Sequence, residues 1–345
     1  MTSTNPWIRV LLTLICFGTC AGCRGGDQSA AGDQTSLTLG AYTTPREVYG
    51  KSLIPMFGAR WEEDTRRPVR VNESYLGSGA QARAILGGFE ADVAALSLEP
   101  DIEKLRSAGL VPGNWKDGPH HGMVTRSVVV IGVRAGNPKD LHTWEDLATP
   151  GIDVLTPNVR TSGGAMWNIL AIYGAVTREG GGSRADAVDL LARILRNVRI
   201  MDKGARDSIL TFERGVGDAI ITYENEILVG RSKGQPYEYV IPKGTILIEN
   251  PVAVVETYAA AHGSLDAARA FVHFLHTPEA QREYARHGLR PVLDAIAVEV
   301  QDQFPAVEGL FTIDDLGGWG EAQRLLFEAG GVYEEALERS RTLAE

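Results

Sequence analysis

Thr156-Pro-Asn-Val-Arg-Thr-Ser-Gly-Gly-Ala-Met-Trp-Asn168 places Ser162, Gly163 and Gly164 where the end of an apolar strand passes through a loop into a helix. The first backbone N–H groups of a helix have no intrahelical partner and carry the positive end of its dipole. A Ser-Gly-Gly start therefore offers an oxyanion several amide donors and one hydroxyl. The same residues also read as ordinary helix punctuation, with Ser at the cap and Gly after it.

The rest of the chain repeats the strand, loop, helix unit. Ser36–Tyr42, Val69–Ser74, Ala91–Ser97, Val128–Val133, Asp153–Leu155, Arg199–Asp202, Asp218–Tyr223 and Val252–Val255 read as strands. Helical spacing marks Arg46–Asp64, Ala80–Leu86, Ala165–Val176, Arg184–Asn197, Ala205–Arg214, Leu265–His276 and Pro278–His287. Val272, Phe274 and Leu275 are expected in the core, and Gly180–Ser183 in a surface loop. That alternation predicts mostly parallel α/β sheets.

Two more helix starts share the first one's character. Gly77, Ser78 and Gly79 precede Ala80–Leu86, and the turn at Gly204 puts the Ala205 N–H at the start of Ala205–Arg214. Each also reads as a plain connection. All three follow strands, however, and ligands of open α/β folds collect at the carboxyl ends of strands. Three converging N-termini suit a small, dehydrated oxyanion.

At 345 residues the chain exceeds one compact core and predicts two lobes. We expect one lobe from 37–136 plus 240–345 and the other from 137–239. A net charge of −10 without a Lys/Arg cluster excludes the basic footprint of nucleic-acid binding. Residues 1–22 read as an export signal: Arg9, an apolar run from Val10 to Phe17, then small residues up to Cys20-Ala-Gly-Cys23. Ala21-Gly22-Cys23 has the form of a lipoprotein box that leaves Cys23 as the lipid-bearing first residue, with Cys20 where Leu is usual. Residues 23–36 then form a polar spacer. Cys16, Cys20 and Cys23 are the only cysteines, so the mature chain has no intrachain disulfide or thiolate metal site.

Tyr42, Gly77-Ser-Gly79, Ala91-Asp-Val93, Gly136-Asn-Pro138, Thr156-Pro-Asn158, Ser162-Gly-Gly-Ala165, Trp167-Asn168, Gly204-Ala-Arg206, Gly217-Asp218, Glu224-Asn-Glu226, Arg290-Pro291, Leu310-Phe-Thr-Ile-Asp314 and Gly317-Gly-Trp319 together resemble the periplasmic sulfate-binding proteins of sulfate and thiosulfate ABC importers. The resemblance covers essentially the whole mature chain. It implies a two-lobed periplasmic-binding-protein fold of type II, with dehydrated sulfate in the cleft and no Lys or Arg counter-ion. The implied donors are the N–H of Ser78, the N–H and hydroxyl of Ser162, the N–H groups of Gly163, Gly164 and Ala205, and Tyr223. The implied partner is an inner-membrane permease met by a monomeric receptor, with no cofactor or metal.

Three positions depart from the family pattern. Tyr223 stands where the family supplies an indole N–H, and a phenol accepts as well as donates. Thr43 replaces an Asp after the Tyr, and Met166 replaces an Arg. The resemblance leaves thiosulfate, molybdate or phosphate as alternative ligands. Enzyme readings are weaker. Ser162 lacks a Gly-x-Ser-x-Gly elbow and a placed base, so a sulfate- or phosphate-ester hydrolase is disfavoured. His120-His121 reads as a surface loop, His273 and His276 as core or surface residues, and Glu224-Asn-Glu226 as the start of a helix.

Overall fold

The computed structural model describes residues 34–343. The expected export signal, Cys23 and nearly all of the expected spacer lie outside the described residues. Among the described residues there are eleven strands: β1 (Thr35–Tyr42), β2 (Val69–Leu76), β3 (Val93–Ala95), β4 (Met123–Val133), β5 (Val154–Pro157), β6 (Val198–Asp202), β7 (Ala219–Tyr223), β8 (Glu238–Val240), β9 (Thr245–Val254), β10 (Arg290–Pro291) and β11 (Leu310–Phe311). They form one path in the order β2-β1-β3-β9-β4-β7-β5-β6, with β8 and β10 on β4 and β11 on β9.

Parallel pairs dominate each end of this path. β1 pairs in parallel with β2 and β3, and β5 with β6 and β7. The middle is antiparallel, where β9 pairs with β3 and β4, and β4 with β7. β4, Met123-Val-Thr-Arg-Ser-Val-Val-Val-Ile-Gly-Val133, is apolar from Val128 onward and buried at every position except Arg126. Its first half pairs with β9 and its second half, from Val129, with β7. β4 and β9 thus connect two lobes.

Each lobe buries its own core. In the first, Leu37, Leu39 and Ala41 of β1 pack with Tyr49, Phe57, Phe271, Phe274, Leu275 and Tyr284. Val272 packs only at the margin of this core. In the second, Trp144, Trp167, Leu170, Val188, Leu191 and Ile221 pack together. The long helices follow from local chemistry. Ser183 and Asp186 form a reciprocal capping box on Arg184–Arg196, and Thr277 caps Pro278–Arg286 with Pro in its first turn.

The chain's last part corrects one expectation. Phe311, Ile313, Leu326, Val332 and Ala336 pack in the second core rather than the first. Arg184–Glu335 and Arg339–Asp189 ion pairs, at 2.7 and 2.8 Å, tie the final helix to Arg184–Arg196. The assignment of all of 240–345 to the first lobe therefore fails beyond Leu310. The physical reason is that Val332–Thr342 carries its own apolar stripe, which the second lobe accommodates. Arg46–Asp64 is helical as expected, but a π turn at Tyr49–Leu53 interrupts it. Ala165–Val176 begins two residues earlier, at Gly163.

Asp92, 1% exposed, joins the first lobe's sheet to its helices by accepting from the Thr38 N–H, Ser264 Oγ and His262 Nδ1 at 2.5, 2.8 and 2.7 Å. Hydrogen bonds to Glu90 and Asp92 raise the His262 pKa. A raised folded pKa gives stability that is complete below the unfolded value of about 6.5 and is lost as pH rises through the folded value. His262→Gln should therefore lower the melting temperature more at about pH 5.5 than at about pH 8.5. Melting curves of both chains at both pH values check this, and an equal loss at both would contradict the assignment.

Candidate functional site

Three helices start where three parallel strands end. Ser78–Leu86 follows β2 through Gly77, Gly163–Gly174 follows β5 through Ser162, and Ala205–Glu213 follows β6 through Gly204. Their cap residues have extended ψ values of 144°, 123° and 165°, and none receives a side-chain capping hydrogen bond. The leading N–H groups of all three are thus left to whatever lies in front of them.

The three starts lie against one another. A Cβ on Gly77 would run into the Thr161 carbonyl and lie 2.9 Å from that of Lys203, so Gly77 sits between the loops leading to the other two helices. The Ala80 N–H reaches the Thr161 carbonyl at 3.4 Å, and Thr161 Oγ1 donates to the Lys203 carbonyl at 2.8 Å. A Cβ on Gly164 would lie 3.3 Å from Ala205 Cβ, 3.4 Å from Ser162 Oγ and 3.7 Å from Tyr223 Cε1. The six residues singled out from the sequence, Ser78, Ser162, Gly163, Gly164, Ala205 and Tyr223, are all buried. Gly164 is in reach of three of the others, and the Gly77 wedge brings Ser78 to the same junction.

Individual donors differ from the sequence reading in two respects. The Ser162 N–H donates to the Asn158 carbonyl at 2.9 Å, within a turn that also holds Thr161, so the hydroxyl is the group that Ser162 has to offer. The Tyr223 hydroxyl lies 2.6 Å from Ser97 Oγ, across the junction between lobes. Ser78 is spoken for at its side chain: its Oγ donates to Asp101 at 2.7 Å and accepts from the Ser97 N–H at 3.0 Å. Its backbone N–H remains at the helix start. Both Asp101 oxygens are engaged, one by Ser78 and one by Lys104 Nζ at 2.8 Å.

Three cations around the site, Arg206, Lys233 and Arg290, are held by carboxylates. Arg206, next to Ala205, lies 3.0 Å from Glu226 and 4.0 Å from Glu47, and Lys233 also pairs with Glu47. Arg290 grips Glu224 with two hydrogen bonds of 2.7 and 3.0 Å. Burial pushes the Glu224 and Glu226 carboxyls up, against the pull of Arg290 and Arg206 respectively. Burial likewise raises the Tyr223 phenol, which stays protonated and able to donate. The site is thus built of neutral dipoles inside a shell of paired charges. Such an arrangement can hold a small anion without a counter-ion, because preorganised amides replace its hydration.

Ser97 was not singled out from the sequence, although it is the last residue of the segment Ala91–Ser97 and the carboxyl-end rule applied to it as to the others. Glu224–Ser232 is a helix, as Glu224-Asn-Glu226 implied. His120 and His121 both have positive φ, 50° and 54°, and the His120 ring stacks on His276 at 6.1 Å. Thr43 Oγ1 lies 3.2 Å from where a Cβ on Gly204 would be, at the edge of the site.

Residues 51–290 match the family described as bacterial extracellular solute-binding protein. The sulfate-binding protein of Synechococcus elongatus is 41% identical over 94% of this chain and 92% of its own. The thiosulfate-binding protein of Escherichia coli is 34% identical over 89% of this chain and 92% of its own. Among solved structures, the sulfate-binding protein SubI from Mycobacterium tuberculosis H37Rv superposes with a TM-score of 0.79 at 40% identity, covering 85% of this chain and all of that one.

Gly77 has φ −59° and ψ 144°, which alanine adopts without strain, so its Cβ conflict is with the opposite lobe alone. Gly77→Ala should fold normally and prop the lobes apart, weakening the affinity for a small oxyanion such as sulfate by at least about tenfold. Small-angle scattering and titration check this together. An unchanged radius of gyration with unchanged affinity would show that the junction does not have to close for binding.

Proposed function

The chain belongs to the bacterial extracellular solute-binding proteins, among their sulfate-binding members, and from that membership we propose that it captures sulfate between its lobes for an ABC importer. The observation that carries this reading is the meeting of three uncapped helix starts at one junction. The donors we assign are the N–H groups of Ser78, Gly163, Gly164 and Ala205 and the Ser162 hydroxyl, with Tyr223 at the back of the site. β4 and β9 serve as the hinge about which the lobes close.

Selectivity follows from the donor set. Sulfate at neutral pH is a pure acceptor and matches a ring of donors. Hydrogen phosphate carries a proton that needs an acceptor, which a ring of donors does not supply. A stranded O–H facing donors costs about 1–3 kcal/mol, or roughly 5- to 150-fold in affinity. Thiosulfate shares the acceptor character and is the second candidate ligand. We assign no catalytic step: the hydrogen-bonded histidines pair elsewhere, and Ser162 has no base beside it. A monomeric receptor tethered by a lipid on Cys23 completes the proposal. Membrane fractions that retain the wild-type chain and release Cys23→Ser would support the tether, and equal release of both would refute it.

Calorimetric titration tests the central reading. Sulfate should bind one to one, and phosphate should fail to displace it at about pH 6 and at about pH 8, on either side of phosphate's second ionisation. Gly163→Asp should abolish sulfate binding, since a carboxylate there would meet Ser97 and Leu98 and face the anion. Sulfate affinity in Gly163→Asp within about threefold of wild type would refute the site.

A further inference from the structure

Ser97 joins both sides of the junction, although nothing in the sequence motifs assigned it a role. It is 1% exposed and follows β3 in the first lobe. Its N–H donates to Ser78 Oγ at 3.0 Å, and its carbonyl accepts from Trp167 Nε1 at 3.0 Å and from Asn250 Nδ2 at 3.1 Å. Its hydroxyl lies 2.6 Å from that of Tyr223. A Cβ on Gly163 would come within 2.5 Å of Ser97 Oγ, so this hydroxyl presses against the backbone whose N–H opens the central helix.

Counting protons shows which hydroxyl faces the ligand. Two hydroxyls in contact bring two protons, and their mutual hydrogen bond uses one. A phenol, with a reference pKa of about 10, is far more acidic than an aliphatic alcohol and is the better donor. Tyr223 therefore donates to Ser97, while the Asn250 amide lies beside the phenol. Among the described residues, no other hydrogen bond uses the Ser97 proton. A hydroxyl that accepts a hydrogen bond becomes a stronger donor in turn.

We propose that Ser97 supplies a hydroxyl donor from the first lobe to the bound oxyanion, and that Tyr223 is a positioning residue behind it that orients and polarises that hydroxyl. This assignment rests on the sulfate reading above. It also gives the phenol its place: its proton goes to Ser97, and the acceptor capacity that distinguishes it from an indole is turned toward Asn250, away from a ligand's proton. The pair closes the site as well, because its hydrogen bond forms only when the two lobes meet.

Sulfate titration of the wild-type chain, Ser97→Ala, Tyr223→Phe and the double variant tests the order of the relay. Ser97→Ala keeps all three backbone hydrogen bonds and should weaken sulfate by at least about tenfold, with an unchanged melting temperature before sulfate is added. Tyr223→Phe should cost less than Ser97→Ala and keep the preference for sulfate over phosphate. The double variant should bind as weakly as Ser97→Ala alone, because Tyr223 acts through Ser97. Losses that multiply in the double variant, a Tyr223→Phe loss as large as that of Ser97→Ala, or a Ser97→Ala affinity within about threefold of wild type would each overturn the assignment. A wild-type chain that does not bind sulfate would instead overturn the reading of the ligand, and this assignment with it.

Discussion

A backbone N–H buried without an acceptor is expensive, at about 1–3 kcal/mol, and three helix starts of this chain direct such groups at one buried junction. Two other helices satisfy their starts with a side chain, Ser183 and Thr277 accepting from their first turns. Gly77, Ser162 and Gly204 do not provide that service. Each lobe buries its own core, so the demand for an acceptor falls on whatever the lobes enclose. In the proposed complex the anion satisfies donors from both lobes at once, and differential binding to the closed arrangement is what couples capture to closure.

The charged residues fit this arrangement by being unavailable. Arg206, Lys233 and Arg290, near the helix starts, are each paired with Glu226, Glu47 or Glu224. Glu47 lies in the first lobe and its partners Arg206 and Lys233 in the second, so these contacts also bridge the junction. An anion held by fixed dipoles inside such a shell depends little on the ionic strength that screens surface charges. A net charge of −10 is then no obstacle to binding an anion, because the field that matters is set within one turn of three helices.

Much of this was legible in the sequence, because it rests on local rules. Gly or Ser after a strand and before a helical run marks an open helix start, and the segments at Gly77, Ser162 and Gly204 are where that rule pointed. The apolar run of β4 and the helical spacing of Leu265–Leu275 were equally plain. The course of 310–343 was not, because an amphipathic helix announces that it will bury a face without saying against which lobe. Ser97 was missed for a similar reason: a single serine at a strand end carries no pattern, and its partners Ser78, Trp167, Tyr223 and Asn250 lie 19 to 153 positions away.

The sequence by itself determined the α/β alternation, the two lobes, the kinship with sulfate-binding proteins and the identity of the helix starts, since each depends on the period and residue types of short segments. Only the tertiary structure decided which donors are already engaged. The Ser162 amide turns back to Asn158, the Ser78 hydroxyl goes to Asp101, and the Tyr223 phenol goes to Ser97. A hydrogen-bonding group is committed by whatever acceptor the fold brings within about 3 Å of it, and that proximity is a property of packed lobes and not of neighbouring residues.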